Sequence, residues 1–207
     1  MKKLITFINA VLGGACIAFG GIAFLSIENK VTGAVFFTLG LFTIVTNGLN
    51  LFTGKVCYVF ENKPGYIIDV VLIWLGNFVG TFLTARLASL TRIAAIAERA
   101  AALCRTKLDD NLLSIFILAL FCNIFIYIAV DGFKNNEHQL GKYLALVFGV
   151  AGFILCGFEH CVANMFYFSM ADMWSGQSFI YLLVMTAGNV AGGVIFPLAR
   201  SFVRKHS

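Results

Sequence analysis

Six apolar blocks take up nearly all of this 207-residue chain and leave it few folds to choose from. They fall near 4–27, 32–61, 66–90, 111–130, 140–172 and 178–199, each long enough for the roughly 20 residues that cross a bilayer as a helix. In hydrocarbon no water is available to a backbone N–H or C=O, so a spanning chain must close its hydrogen bonds internally. A composition 60% hydrophobic and 12% charged, with mean hydropathy +0.90, excludes an ordinary soluble core. The expectation is an all-α membrane protein with a single transmembrane domain over 1–207.

Met1-Lys2-Lys3 and the apolar run behind it resemble a signal peptide, and Gly13-Gly14-Ala15-Cys16 resembles a lipoprotein cleavage box. The run continues to Ile27, longer than a signal core, so it reads as a retained first span. The net charge of +5 points to anionic lipid rather than nucleic acid, because no basic patch is interleaved with aromatics in a soluble segment. The six cysteines show no C-x-x-C spacing and read as small packing residues; no metal or cofactor is expected. No nucleotide-binding loop is present, so an ATP-driven pump is not expected, and the spans carry too few ionisable groups for a metal or haem site, so no enzyme is expected. Lys2, Lys3, Lys55, Lys63, Lys134, Lys142, Arg200, Arg204 and Lys205 outnumber Lys30, Arg86, Arg92, Arg99, Arg105 and Lys107, which favours cytoplasmic termini in a cell (inner) membrane. The basic, alanine-rich 91–110 linker then lies outside, as an amphipathic helix over the outer mouth.

The second and fifth blocks are too long for one plain span, and each is interrupted by glycine and polar residues. The first interruption is expected over Thr46–Lys55 and the second over Gly157–Asn164. Each is followed, at a similar interval, by G-N-x-x-G: Gly76-Asn77-Phe78-Val79-Gly80 and Gly188-Asn189-Val190-Ala191-Gly192. This predicts a three-plus-three repeat, about 4–90 and 111–200, inverted because each half has an odd number of spans. Paired interrupted spans point to a binding site. For both G-N-x-x-G copies the preferred role is close helix packing, with Asn189 also able to steady the second break. Within the second break, Glu159, His160 and Asn164 are costly in a bilayer unless they pair or line a watery path.

Gly157-Phe158-Glu159-His160 through Asn164-Met165, with Leu51-Phe52-Thr53-Gly54 upstream, resembles the formate/nitrite transporter family of formate, nitrite and hydrosulfide channels. The resemblance implies an aquaporin-like six-helix bundle with two broken helices, forming a homopentamer with one pore per protomer. It implies that His160 is the central pore histidine with Glu159 beside it, and that Thr53 faces that histidine. It implies an inner constriction of Leu41, Leu51 and Phe52 and an outer one of Phe37 and Phe153. Lys107 matches a vestibule lysine, and Asn123 and Asn189 match asparagines of the fourth and last spans. Asn50 stands where formate and nitrite members commonly carry an acid, and Lys55 is unusual for a formate channel. Both leave a hydrosulfide-type member open.

Half-helix N-termini facing each other at mid-membrane attract an anion. His160 can donate a hydrogen bond or exchange a proton with a weak-acid anion, or it is held by Glu159 or Asn164 for structure. Glu159 either orients His160 or holds a contact between protomers, and a structural role is preferred. Lys107 either draws anions in or pairs with Asp109 or Asp110. Lys55 either does the same on the inner side or snorkels to the interface. The expected function is a channel for a small monovalent anion or its acid. A neutral-solute pore of aquaporin type would need Asn-Pro-Ala motifs that Pro64 and Pro197 do not supply. A non-transport membrane subunit is the remaining alternative.

Overall fold

The computed structural model describes residues 1–206, and every regular element among them is helical. Helices α1 (Lys2–Ser26), α4 (Tyr66–Ser89), α6 (Leu112–Asn135) and α9 (Gly176–His206) are each long and apolar enough to cross a bilayer. Between them lie two interrupted pairs. The first is α2 (Lys30–Thr46) and the four-residue α3 (Phe52–Lys55), which tightens into a 3-10 stretch, Val56–Glu61. The second is α7 (Gln139–Leu155) and α8 (Cys161–Met170). The linker helix α5 (Ile96–Leu108) joins the halves and carries Arg105 and Lys107 in its last turn, where they complement the helix dipole.

Both interruptions are built the same way. Gly48 and Gly157 have φ of +66° and +70°, a left-handed conformation open to glycine at little cost. Each follows a helix end sealed by a six-to-one bond: Leu49 N–H donates to Ile44 O over 2.9 Å, and Phe158 N–H to Phe153 O over 3.0 Å. The chain then runs extended through Leu51 and His160 before a new helix begins. The interruptions are therefore shorter than expected. Thr53, Gly54 and Lys55 are helical, and so is Asn164, which closes the first turn of α8. The outer helices are longer: α6 reaches Asn135 rather than 130, and α9 reaches His206 rather than 199. Polar residues continue these two helices beyond the apolar run that marked the expected ends.

The G-N-x-x-G motifs lie where α1 crosses α4 and α6 crosses α9. A methyl group on Gly80 would lie 2.0 Å from Val11 O, and one on Gly192 1.9 Å from Leu120 O. Only glycine permits that approach, which replaces hydrophobic drive by van der Waals contact between backbones. The two asparagines do more than the packing role preferred from sequence. Asn77 Oδ1 accepts from Phe52 N–H (2.8 Å), and its amide donates to Ala10 O and Asn50 O. Asn189 Oδ1 accepts from Cys161 N–H (2.9 Å), and its amide donates to Ala119 O and Glu159 O. Each clamps the first N–H of the half-helix in its own half. The matching sets of partners are the structural form of the repeat.

Candidate functional site

The two half-helix starts meet at Thr53 and His160, which are 0% and 1% exposed. Thr53 Oγ1 lies 2.9 Å from His160 Nε2. His160 is also the N-cap of α8: Ala163 N–H donates to its Nδ1 over 3.1 Å. An Nδ1 that accepts carries no proton, so the neutral ring holds its hydrogen on Nε2 and donates it to Thr53 Oγ1. The Thr53 hydroxyl hydrogen then has no acceptor among the described residues and is available to a ligand. The equivalent cap position in the first half is Leu51, which offers no side-chain acceptor. The side-chain cap is thus confined to the second half, and the free hydroxyl hydrogen comes from the first.

The His160 ring stacks on Phe153, with centroids 5.4 Å apart, and Phe153 meets Phe37 edge-on at 6.0 Å. The two expected outer-constriction residues therefore sit together against the histidine. On the other side opens a cavity of about 510 Å³ that Leu41 and Leu51 line together with Gly54, Lys55, Tyr58, Tyr66 and Lys134. Among the described residues, no Asp or Glu lines this cavity. Phe52, grouped with the inner constriction from sequence, is not part of its wall. Lys55 faces this space, and its carbonyl accepts from the Tyr66 hydroxyl.

Glu159 holds neither the His160 ring nor open space. Its carboxylate accepts from Lys107 Nζ at 2.8 and 2.7 Å and from Asn164 Nδ2 at 2.8 Å. Lys107 is therefore paired with Glu159 and not with Asp109 or Asp110. Asp110 instead binds Ser114 and Asn111 at the start of α6. The His160 ring is held by Thr53 and Ala163, while Asn164 holds only the backbone of that residue and Glu159 does not touch the ring. Asn164 also donates to His160 O, so it braces both neighbours from within α8. Asn123 donates to Thr53 O and Asn189 O, which ties α3 to the second half. The Oδ1 atoms of Asn123 and Asn164 are buried without a partner.

Sequence reasoning missed Asn77 as a clamp on α3, although repeat symmetry with Asn189 carried the signal. It also counted Lys134 only as a topology charge. No three His, Cys, Asp or Glu side chains cluster with metal-holding geometry among the described residues.

The family model for formate/nitrite transporters matches residues 1–202. The formate channel FocA of Haemophilus influenzae is 26% identical, covering 94% of this chain and 84% of its own. The nitrite transporter NirC of Salmonella typhimurium is 28% identical, covering 92% and 79%. Among solved structures, a pentameric formate channel with formate bound superposes with a TM-score of 0.86 at 23% identity, covering 100% of this chain and 98% of that one. An FNT family ion channel superposes at 0.82 with 24% identity, covering 97% and 90%. With a family match across nearly its whole length, this multi-pass membrane chain belongs to the formate/nitrite transporter family.

Proposed function

We infer that this chain is a channel for a small monovalent anion, with formate, nitrite and hydrosulfide as candidates, and that it assembles as a homopentamer with one pore per protomer. The observation that carries the reading is the Thr53–His160 pair, 2.9 Å apart between two half-helix starts and next to a cavity whose only ionisable ammonium groups are Lys55 and Lys134. The pentameric relative supports the assembly. The cavity faces the cytoplasm in an inner membrane, with both termini on that side.

The anion is drawn in by Lys55 and Lys134. Leu41 and Leu51 strip its water, and the Thr53 hydroxyl replaces a lost hydrogen bond, polarised by the Nε2–H of His160. Phe153 and Phe37 close the far side as an apolar ring that excludes hydrated ions. Glu159 neutralises Lys107, so the far vestibule attracts anions less than the near one, and Asn164 and Asn123 brace the centre. Proton exchange at His160 carries a structural cost. A proton on Nδ1 would face the Ala163 N–H donor, so the ring must leave its cap before it can act as an acid. His160 at rest is a hydrogen-bond donor.

Flux into proteoliposomes tests this. Formate, nitrite, hydrosulfide and an uncharged solute are compared at two pH values in wild type and His160→Asn. Uptake of one anion, lost in the variant, supports the reading. Uptake of the uncharged solute alone, or none from folded pentamer, overturns it.

A further inference from the structure

Beside the pore, at the Lys55 end of the molecule, lies a second cavity of about 470 Å³ that conduction does not use. It is formed between α6, the C-terminal part of α9 and the 3-10 stretch after α3. Its ionisable lining is Lys134, Arg200, Arg204 and Lys205 against Glu61 and Asp131, with Tyr58 and Tyr127. Arg200 is already engaged, at 2.8 Å from Asp131 and 2.9 Å from the Tyr127 hydroxyl. Among the described residues, Lys134, Arg204 and Lys205 have no carboxylate partner, and Glu61 is the one acid left in the lining to oppose them. The surplus is close to the charge of one phosphate monoester at neutral pH, about −1.5 to −2. A monovalent anion of the transported kind would leave it half neutralised. The volume falls in the range of about 300–1,000 Å³ typical of small-molecule sites, so the phosphate can carry an organic group.

Two residues are shared with the pore vestibule, Tyr58 and Lys134. The Lys134 ammonium sits 5.0 Å above the Tyr58 ring, and the Tyr58 hydroxyl is buried without a partner. The two residues form a common wall. We propose that this second cavity binds a phosphate monoester, from a soluble metabolite or a lipid headgroup, and that the bound phosphate recruits Lys134 away from the vestibule and slows anion entry. The site stands on its own geometry; only the slowing rests on the channel reading.

Purified wild type is titrated calorimetrically with inorganic phosphate, pyrophosphate and short-chain phosphatidic acid. Formate uptake is then followed in phosphatidylcholine vesicles, with and without enclosed phosphate, and in vesicles containing phosphatidic acid. At least one probe should bind and lower uptake by about twofold, in line with losing one of two vestibule cations. An effect of enclosed phosphate assigns a soluble ligand, and an effect of phosphatidic acid alone assigns a headgroup. The double variant Arg204→Ala/Lys205→Ala should keep basal uptake, bind about tenfold more weakly or worse, and lose the inhibition. The site is overturned if the double variant binds as wild type does, or if no probe binds to protein that takes up formate. Binding that depends on Arg204 and Lys205 in protein that takes up nothing upholds the site and sinks the channel reading instead.

Discussion

Replacing Asn189 with alanine tests the clamp logic most directly. The side chain makes three buried bonds, of 2.9, 2.7 and 2.8 Å, to Cys161 N–H, Ala119 O and Glu159 O. Hydrogen bonds between membrane helices are worth about 0.6 kcal/mol on average and up to about 1.7, so three give roughly 2–5 kcal/mol. The upper half of that range is expected. Asn189 is 0% exposed, and its loss strands the first N–H of α8 where water cannot reach it. Asn189→Asp keeps the acceptor for Cys161 N–H but sets a buried carboxylate oxygen against Ala119 O and Glu159 O, and should cost at least as much as alanine. Asn77→Ala should cost as much as Asn189→Ala, because its bonds are the same in kind and number. Reversible unfolding in mixed micelles gives the free energies, with Thr46→Ala, whose hydroxyl bonds only to its own helix and the adjoining Asn47 cap, as the reference. A loss below about 1 kcal/mol for Asn189→Ala would refute the assignment of the asparagines as clamps.

Other perturbations separate packing, charge and conduction. Gly80→Ala and Gly192→Ala force a methyl onto a carbonyl at 2.0 and 1.9 Å and should abolish folded protein on size exclusion, whereas Gly48→Ala, with open space but φ +66°, should cost only about 1–2 kcal/mol. Glu159→Gln strands Lys107 in a buried pair and should destabilise by about 3–5 kcal/mol, with much of the loss recovered by adding Lys107→Met. His160→Asn keeps an N-cap side chain but removes the stacked ring and the Nε2–H; it should fold, melt near wild type and conduct at least about tenfold less. Lys55→Ala should lower anion flux at low ionic strength, with the difference shrinking as the Debye length falls to about 8 Å near physiological salt.

The breaks were legible because glycine carries the signal in its own conformation: Gly48 and Gly157 mark them without reference to any neighbour. Their ends were not. Thr53-Gly54 reads locally as a helix breaker, yet Asn77, 25 residues further on, supplies the acceptor that lets a helix begin at Phe52. The central pair came from a family resemblance, since nothing local places Thr53 against His160 across 107 residues. Lys107 illustrates the opposite failure. Two aspartates beside it in sequence are the obvious partners, but α5 turns the lysine toward Glu159, 52 residues away. Lys134 was invisible for a similar reason, because its importance lies in which two cavities it divides.

Helix α9 has 31 residues, which at 1.5 Å each rise roughly 46 Å against a hydrocarbon core of about 30 Å. Even with an ordinary tilt of about 20°, it overshoots the core by about 13 Å, a little over two turns. Its basic C-terminal part lies at the same end as Lys55 and Lys134, as the Arg200–Asp131 contact with α6 fixes. The entrance is therefore not flush with the membrane. Arg204 and Lys205, which line the second cavity beside it, stand out toward bulk solution by a height that helix length sets. Lengthening or trimming α9 would move that basic rim relative to the membrane surface while leaving the vestibule lysines and the pore centre untouched.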